Sequence, residues 1–205
     1  MKHVQTYLRS KGFDLKVDGV IGNKTKEALT GYIKFVFGQK GYVYPTKGLV
    51  FVRTDDKLTN SFDDFMVFIK DSEVRTVVPC STTAGKYWIQ NPITYGGITG
   101  TAIAVEQQVL KSHTFVTKKD WSTLWLKMPY FQQTSQIDIF RDGNKDGNLD
   151  RGKTYRGLFG INLHRGGLGS FIDRWSAGCP VIPDAYWKQI IPHFFNGEKI
   201  DFNLI

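Results

Sequence analysis

The chain has 205 residues, of which 41% are apolar and 14% aromatic, enough to bury a core and to exclude general disorder. Its formal charge is +8, and residues 1–40 hold eight lysines and arginines against three acids, so this segment would be drawn to a polyanion. No apolar run is long enough to span a bilayer, and MKHVQTYLRSKGF lacks the apolar stretch of a signal peptide, so synthesis in a cytoplasm is expected.

Residues 3–12 place Val4, Tyr7, Leu8 and Lys11 at helical spacing, ended by Gly12. The loop FDLKVDGVIGN follows, with turn chemistry at Asp18-Gly19 and a second break at Gly22. A second helix is expected from Asn23 or Thr25, turning Ala28, Leu29, Tyr32, Ile33 and Val36 toward the first. Gly38, Gly41 and Pro45 mark an expected linker. This divides the chain into a helical unit, 1–44, and a larger unit, 48–205.

From Leu49 the pattern changes to short runs rich in Val, Ile and Phe: GLVFVRT, FMVFIK, EVRTVVPC and LFGINLH. PDAYWKQIIPHFF is expected as a short helix capped by Asp184 and broken at Pro192. The fold class is therefore α+β, a mainly-β domain with a small N-terminal helical module. Cys80, at the end of an apolar run, is expected in the core, and a Cys80–Cys179 disulfide would exclude Cys179 as a nucleophile.

The segment GINLHRGGLGSFIDRWSAGCPVIP carries the chemistry. A period of two along Leu158–His164 turns Ile161 and Leu163 to the core and Asn162 and His164 to the other face. Ser176-Ala177-Gly178-Cys179 forms a tight turn in which the Gly178 and Cys179 amides would face a developing oxyanion. A thiol becomes a strong nucleophile beside an imidazole that takes its proton, which assigns acyl transfer to Cys179 with His164 as base. A third group should orient His164: a backbone carbonyl in Arg165–Gly167, or Asn162. Candidate substrate contacts are His113, Arg165 and Trp175. Tyr87, Trp88 and Trp175 are read either as groove-lining or as core aromatics.

The H-x(11)-S-x-G-C pattern of His164, Ser176, Gly178 and Cys179 resembles the catalytic motif of L,D-transpeptidase domains. The resemblance implies a cysteine acyl-enzyme on peptidoglycan stem peptides, with Cys179 as nucleophile, His164 as base, and Ser176 and Gly178 shaping the oxyanion turn. The chain departs from that pattern twice: Ala177 replaces the usual histidine and Val181 a common polar residue. STTAGKYW and IDIFRDGNKDGNLD resemble more closely a peptidoglycan-degrading branch carried by phages. Leu8, Gly12, Phe13, Val17, Asp18, Gly19, Gly22, Thr25, Ala28 and Leu29 resemble a shortened peptidoglycan-binding module. Together these imply an endolysin-like stem-peptide hydrolase, with endo- or carboxypeptidase activity, made in the host cytoplasm and acting on the cell wall as a monomer. Cross-linking by transpeptidation is the alternative, and a non-catalytic wall-binding protein is a further one.

Asp142, Asn144, Asp146 and Asp150, with Gly147, follow the spacing DxNxDGxxD of a calcium loop, and Asn148 is a further oxygen donor. Lys153 stands where a bidentate glutamate is expected, so the segment is read either as a weak structural calcium site or as a polar turn. No other cofactor is required. The four histidines (His3, His113, His164, His193) lack zinc-site spacing, and no nucleic-acid recognition motif accompanies the basic segment.

Overall fold

A computed structural model describes residues 1–95, 97–117 and 128–205. Helix α1 (Lys2–Ser10) buries Val4 and Leu8, one turn apart, and helix α2 (Asn23–Lys40) buries Ala28, Leu29, Ile33 and Phe37 along a single stripe. Helix α2 runs through Gly38, where a linker was expected, and ends at Gly41. There the Tyr42 amide donates to the Phe37 carbonyl at 2.8 Å, which satisfies the last turn. Gln5 staples the intervening loop to α1. Its Nε2 donates to Asp18 Oδ1 at 2.9 Å, and its Oε1 accepts from the Gly19 amide at 2.7 Å.

Strands β1 (Lys47–Val52), β2 (Asp64–Lys70) and β3 (Glu73–Cys80) form an antiparallel meander in the order β1-β2-β3. Alternate residues serve two different cores. Leu49, Phe51, Met66, Phe68, Val78 and Cys80 join the main cluster. Val50, Val52, Phe65, Val67, Ile69 and Val77 pack with Val4, Leu8, Leu29 and Ile33 of the helices. Both faces are therefore buried, which is why these strands read as continuous apolar runs. The segments 1–44 and 48–205 share this second cluster.

The chain continues through α3 (Lys86–Gln90), β4 (Thr94–Tyr95), β5 (Ile98–Thr99), β6 (Thr101–Ala104), β7 (Gln108–Val116), β8 (Tyr130–Gln133), β9 (Ile137–Asp142) and β10 (Tyr155–Gly157). It closes with β11 (His164–Arg165), β12 (Val181–Ile182), α4 (Asp184–Ile190) and β13 (Lys199–Asn203). Three-stranded sheets β13-β7-β8 and β10-β9-β6 complete the framework, with β11 and β12 paired in parallel. Between them Phe115, Phe131, Phe194, Phe202 and Trp187 fill the main core. The result is a mixed α+β fold with a sheet-rich centre. Among the described residues no helix is long and apolar enough to cross a membrane.

Two local expectations are corrected. LFGINLH does not form a strand along its length; only His164 and Arg165 do, and Leu163 makes an isolated bridge to Phe131. Gly160 adopts φ 72°, and Gln133 replaces the missing ladder. Its Oε1 accepts from the amides of Phe159 (3.1 Å) and Ile161 (2.9 Å), and its Nε2 donates to the carbonyls of Ser135 and Gly157, both at 2.9 Å. Asp184 does not cap α4. Pro183 holds that position, and Asp184, inside the helix, pairs with Arg165 at 2.9 Å and Lys188 at 2.6 Å.

Candidate active site

A cavity of about 790 Å³ opens where β6, β9 and the loops before and after β11 meet. Cys179 and His164 both line it, together with Trp88, Phe159, Arg141, Arg174, Trp175 and Ala177. The period-of-two reading of this segment holds only in part: Ile161 and Leu163 are buried in the main core and His164 faces the cavity, but Ile161 lines that cavity too and the Asn162 side chain turns to Gln133.

The cysteine turn is set by backbone packing. Ser176 Oγ accepts from the Gly178 amide at 2.9 Å and donates to the Cys179 carbonyl at 2.7 Å, closing the turn on itself. Gly178 has φ 124°, and a Cβ there would lie 1.5 Å from the Ala102 carbonyl oxygen of β6. Only glycine fits against that strand. The Gly85 amide donates to the Ser176 carbonyl at 2.9 Å, so the segment after β3 supports the turn from below.

This bonding corrects the oxyanion expectation. The Gly178 amide is taken by Ser176 Oγ and does not stand open to substrate. The amides directed at the sulfur are those of Asn162, at 3.4 Å, and of Cys179 itself. The thiol in turn lies 3.4 Å from the Gly160 carbonyl, to which it donates. Burial raises the Cys179 thiol to about 11, partly offset by these two amides, so the resting nucleophile is a thiol.

His164 is buried, and its Nδ1–H donates to the carbonyl of Arg165 at 2.7 Å. The orienting group is therefore one of the two alternatives, a backbone carbonyl. Asn162 is engaged elsewhere, its Oδ1 accepting from the Gln133 amide at 2.9 Å. With Nδ1 protonated, Nε2 is the proton-accepting nitrogen. Burial lowers His164 to about 4, so the imidazole is neutral at physiological pH. The pair is thus a neutral thiol and a neutral imidazole, unlike a preformed thiolate–imidazolium pair.

The substrate-contact candidates separate. Trp175 lines the cavity, as does Trp88. Arg165 does not; its guanidinium binds Asp184 at 2.9 Å and lies 5.2 Å from the Trp175 ring centre. His113 is a core residue, fully buried, with Nε2–H donating to the Ile161 carbonyl at 2.8 Å and its ring stacked on Phe202. It braces the catalytic segment from behind instead of meeting substrate. In the stretch KSHTFVTKKDW that contains it, residues 118–121 lie outside the described residues. Arg141 and Arg174 line the cavity without having been singled out from sequence. Their positions come from β9 and a loop, and nothing in their local pattern marks them. Cys80 is fully buried and both cysteines are free, so the disulfide alternative is not realised.

No family model matches the chain, and no curated protein matches it. Its structure is similar to that of an L,D-transpeptidase (residues 123–326) from Xylanimonas cellulosilytica, with 16% identity, a TM-score of 0.34, and coverage of 100% of this chain and 92% of that one. At that identity and score, the functional reading rests on the chemistry of the site.

Proposed function

We propose that the protein is a cysteine acyl-transfer enzyme acting on peptidoglycan stem peptides, with water as the usual acceptor. The observation that carries this reading is the placement of Cys179 and His164 in one large cavity, with His164 held in the tautomer that accepts at Nε2. The stem-peptide substrate is inferred from the sequence motifs at both ends of the chain. Arg141 and Arg174 suit the carboxylates of such a peptide, and Trp88, Phe159 and Trp175 suit its aliphatic stems.

In this mechanism the Cys179 thiol passes its proton to His164 Nε2 as the sulfur attacks the peptide carbonyl carbon. The oxyanion forms beside the Asn162 and Cys179 amides. The C–N bond breaks, His164 returns the proton to the leaving amine, and a thioester remains. Water then attacks the thioester; its proton moves to His164 and on to the sulfur as the thiol leaves, freeing a carboxylate. An amine in place of water would give transpeptidation with the same residues. The hydrolytic product would suit an endolysin-like role on the cell wall, with the helical N-terminal segment supplying wall contacts.

Mass spectrometry of purified muropeptides incubated with wild type and Cys179→Ala tests this directly. Loss of one residue from the stem, or conversion of dimers to monomers, is the expected outcome, absent in the variant. New dimers would replace hydrolysis by cross-linking. Unchanged muropeptides with wild-type protein would remove this substrate class.

A further inference from the structure

The acidic segment from Asp142 to Asp150 takes no part in the thiol chemistry. We propose that it binds a calcium ion at the end of β9, with oxygens from Asp142, Asn144, Asp146 and Asp150 and the backbone carbonyl of Asn148.

Two independent features support the site. The spacing of oxygen-bearing side chains is that of a calcium loop, with Gly147 (φ 83°) at the sharp turn. Separately, Asp142 is completely buried, and only one of its oxygens is used. Oδ2 turns into the loop and accepts from the Asp150 amide at 3.1 Å. Oδ1 is enclosed and has no hydrogen-bond partner among the described residues. A buried carboxylate oxygen left unbonded is costly, and a hard cation is the ligand that satisfies it.

The nearby cations are Lys145, exposed in the loop itself, Arg141, which donates to the Gly100 carbonyl at 3.0 Å, Arg151 and Lys153. Arg151 binds Asp56 and Glu106, and Lys153 lies 5.3 Å from the Tyr155 ring centre. The group shared by the Asp146 and Asp150 carboxylates is the Asn144 amide, whose Nδ2 donates to them at 3.2 and 2.7 Å. Among the described residues no three acidic, histidine or cysteine side chains are grouped so that they could hold a metal ion as they stand. Calcium binding therefore displaces that amide and draws both carboxylates inward, toward Asp142. Lys153 removes the twelfth-position carboxylate, which places the dissociation constant on the order of 10⁻⁴–10⁻³ M, the range of extracellular modules.

The site bears on the cavity through the strand that precedes it. Arg141, next to Asp142 on β9, lines the cavity, and β9 pairs with β6, whose Ala102 seats Gly178. Leu149 anchors the far side of the loop, buried against Ile103 and Phe140.

The test is calorimetry and thermal melting of chelator-treated protein with calcium chloride, and with magnesium chloride as comparison. Wild type should show binding heat and a melting temperature higher by roughly 4 °C at about 10 mM calcium, with a smaller effect of magnesium. Asp142→Asn and Asp146→Ala should both lose the shift, and Asp142→Asn should melt in chelator at or above the wild-type temperature. Asp146 is exposed, so its variant decides the matter if the buried one does not fold. Absence of heat and shift in wild type overturns the proposal. So does a shift that survives in Asp146→Ala, or magnesium acting as strongly as calcium.

Discussion

The β1–β3 sheet with its two helices and the cavity side of the molecule are built on opposite plans. In the first, the strands alternate their side chains into two apolar clusters and pair along their length in antiparallel register. In the second, around residues 157–183, strands of two residues are held by side chains reaching to backbone: Gln133, Ser176 and His164. Regular structure gives stability through area, which tolerates small errors. The cavity side gives position through single bonds, which do not, and a nucleophile needs position.

The comparison breaks most visibly at Gly178. Gly178→Ala sets a methyl group against the Ala102 carbonyl, and the expected cost is about 3 kcal/mol or more with activity lost, measured by denaturant unfolding and muropeptide turnover. Leu29→Ala, in the fully buried helix–sheet cluster, should cost about 3 kcal/mol by cavity formation while turnover per folded molecule is kept. A loss of turnover there would mean that the two regions are energetically one.

Titration sharpens the contrast further. With the thiol raised to about 11, alkylation of Cys179 should quicken roughly tenfold per pH unit from neutrality upward, without a plateau near neutral pH. An early plateau would show a preformed thiolate. Stability should respond at the acid end. His113 and His164 are both lowered to about 4, so the stability that they contribute is complete above about 6.5 and is lost as pH falls toward 4. Asp64 opposes them, because burial raises it to about 6 and the folded chain takes up its proton earlier than the unfolded one. The melting temperature should therefore fall by roughly 5 °C between about pH 6.5 and 4.5, and more steeply in Asp64→Asn.

Legibility in the sequence followed the same division. Helical and strand periodicity located α1, α2 and β1–β3 to within a few residues, because burial there repeats at a fixed interval. The convergence of Cys179 and His164 on one cavity was readable because both come from one short stretch. What escaped was long-range and unperiodic: Arg141 and Arg174 in the cavity, the capture of the Gly178 amide by Ser176, and His113 packed inward. His113 and His164 look alike as letters. One stacks its ring on Phe202 and the other, also buried, lines the cavity, and that choice is made by strands distant in sequence.

Gln133 concentrates this dependence in one side chain. Two amides and two carbonyls from the chain around residues 135–161 meet its single carboxamide. A strand in its place would spread the same bonds over several residues, any of which could change without releasing the others. His113 and the Phe131–Leu163 bridge also hold the loop that delivers Asn162 and His164. The four bonds at Gln133, twenty-nine positions from Asn162, nevertheless change together, and a change as modest as glutamine to glutamate would charge the one group that gathers all four backbone partners.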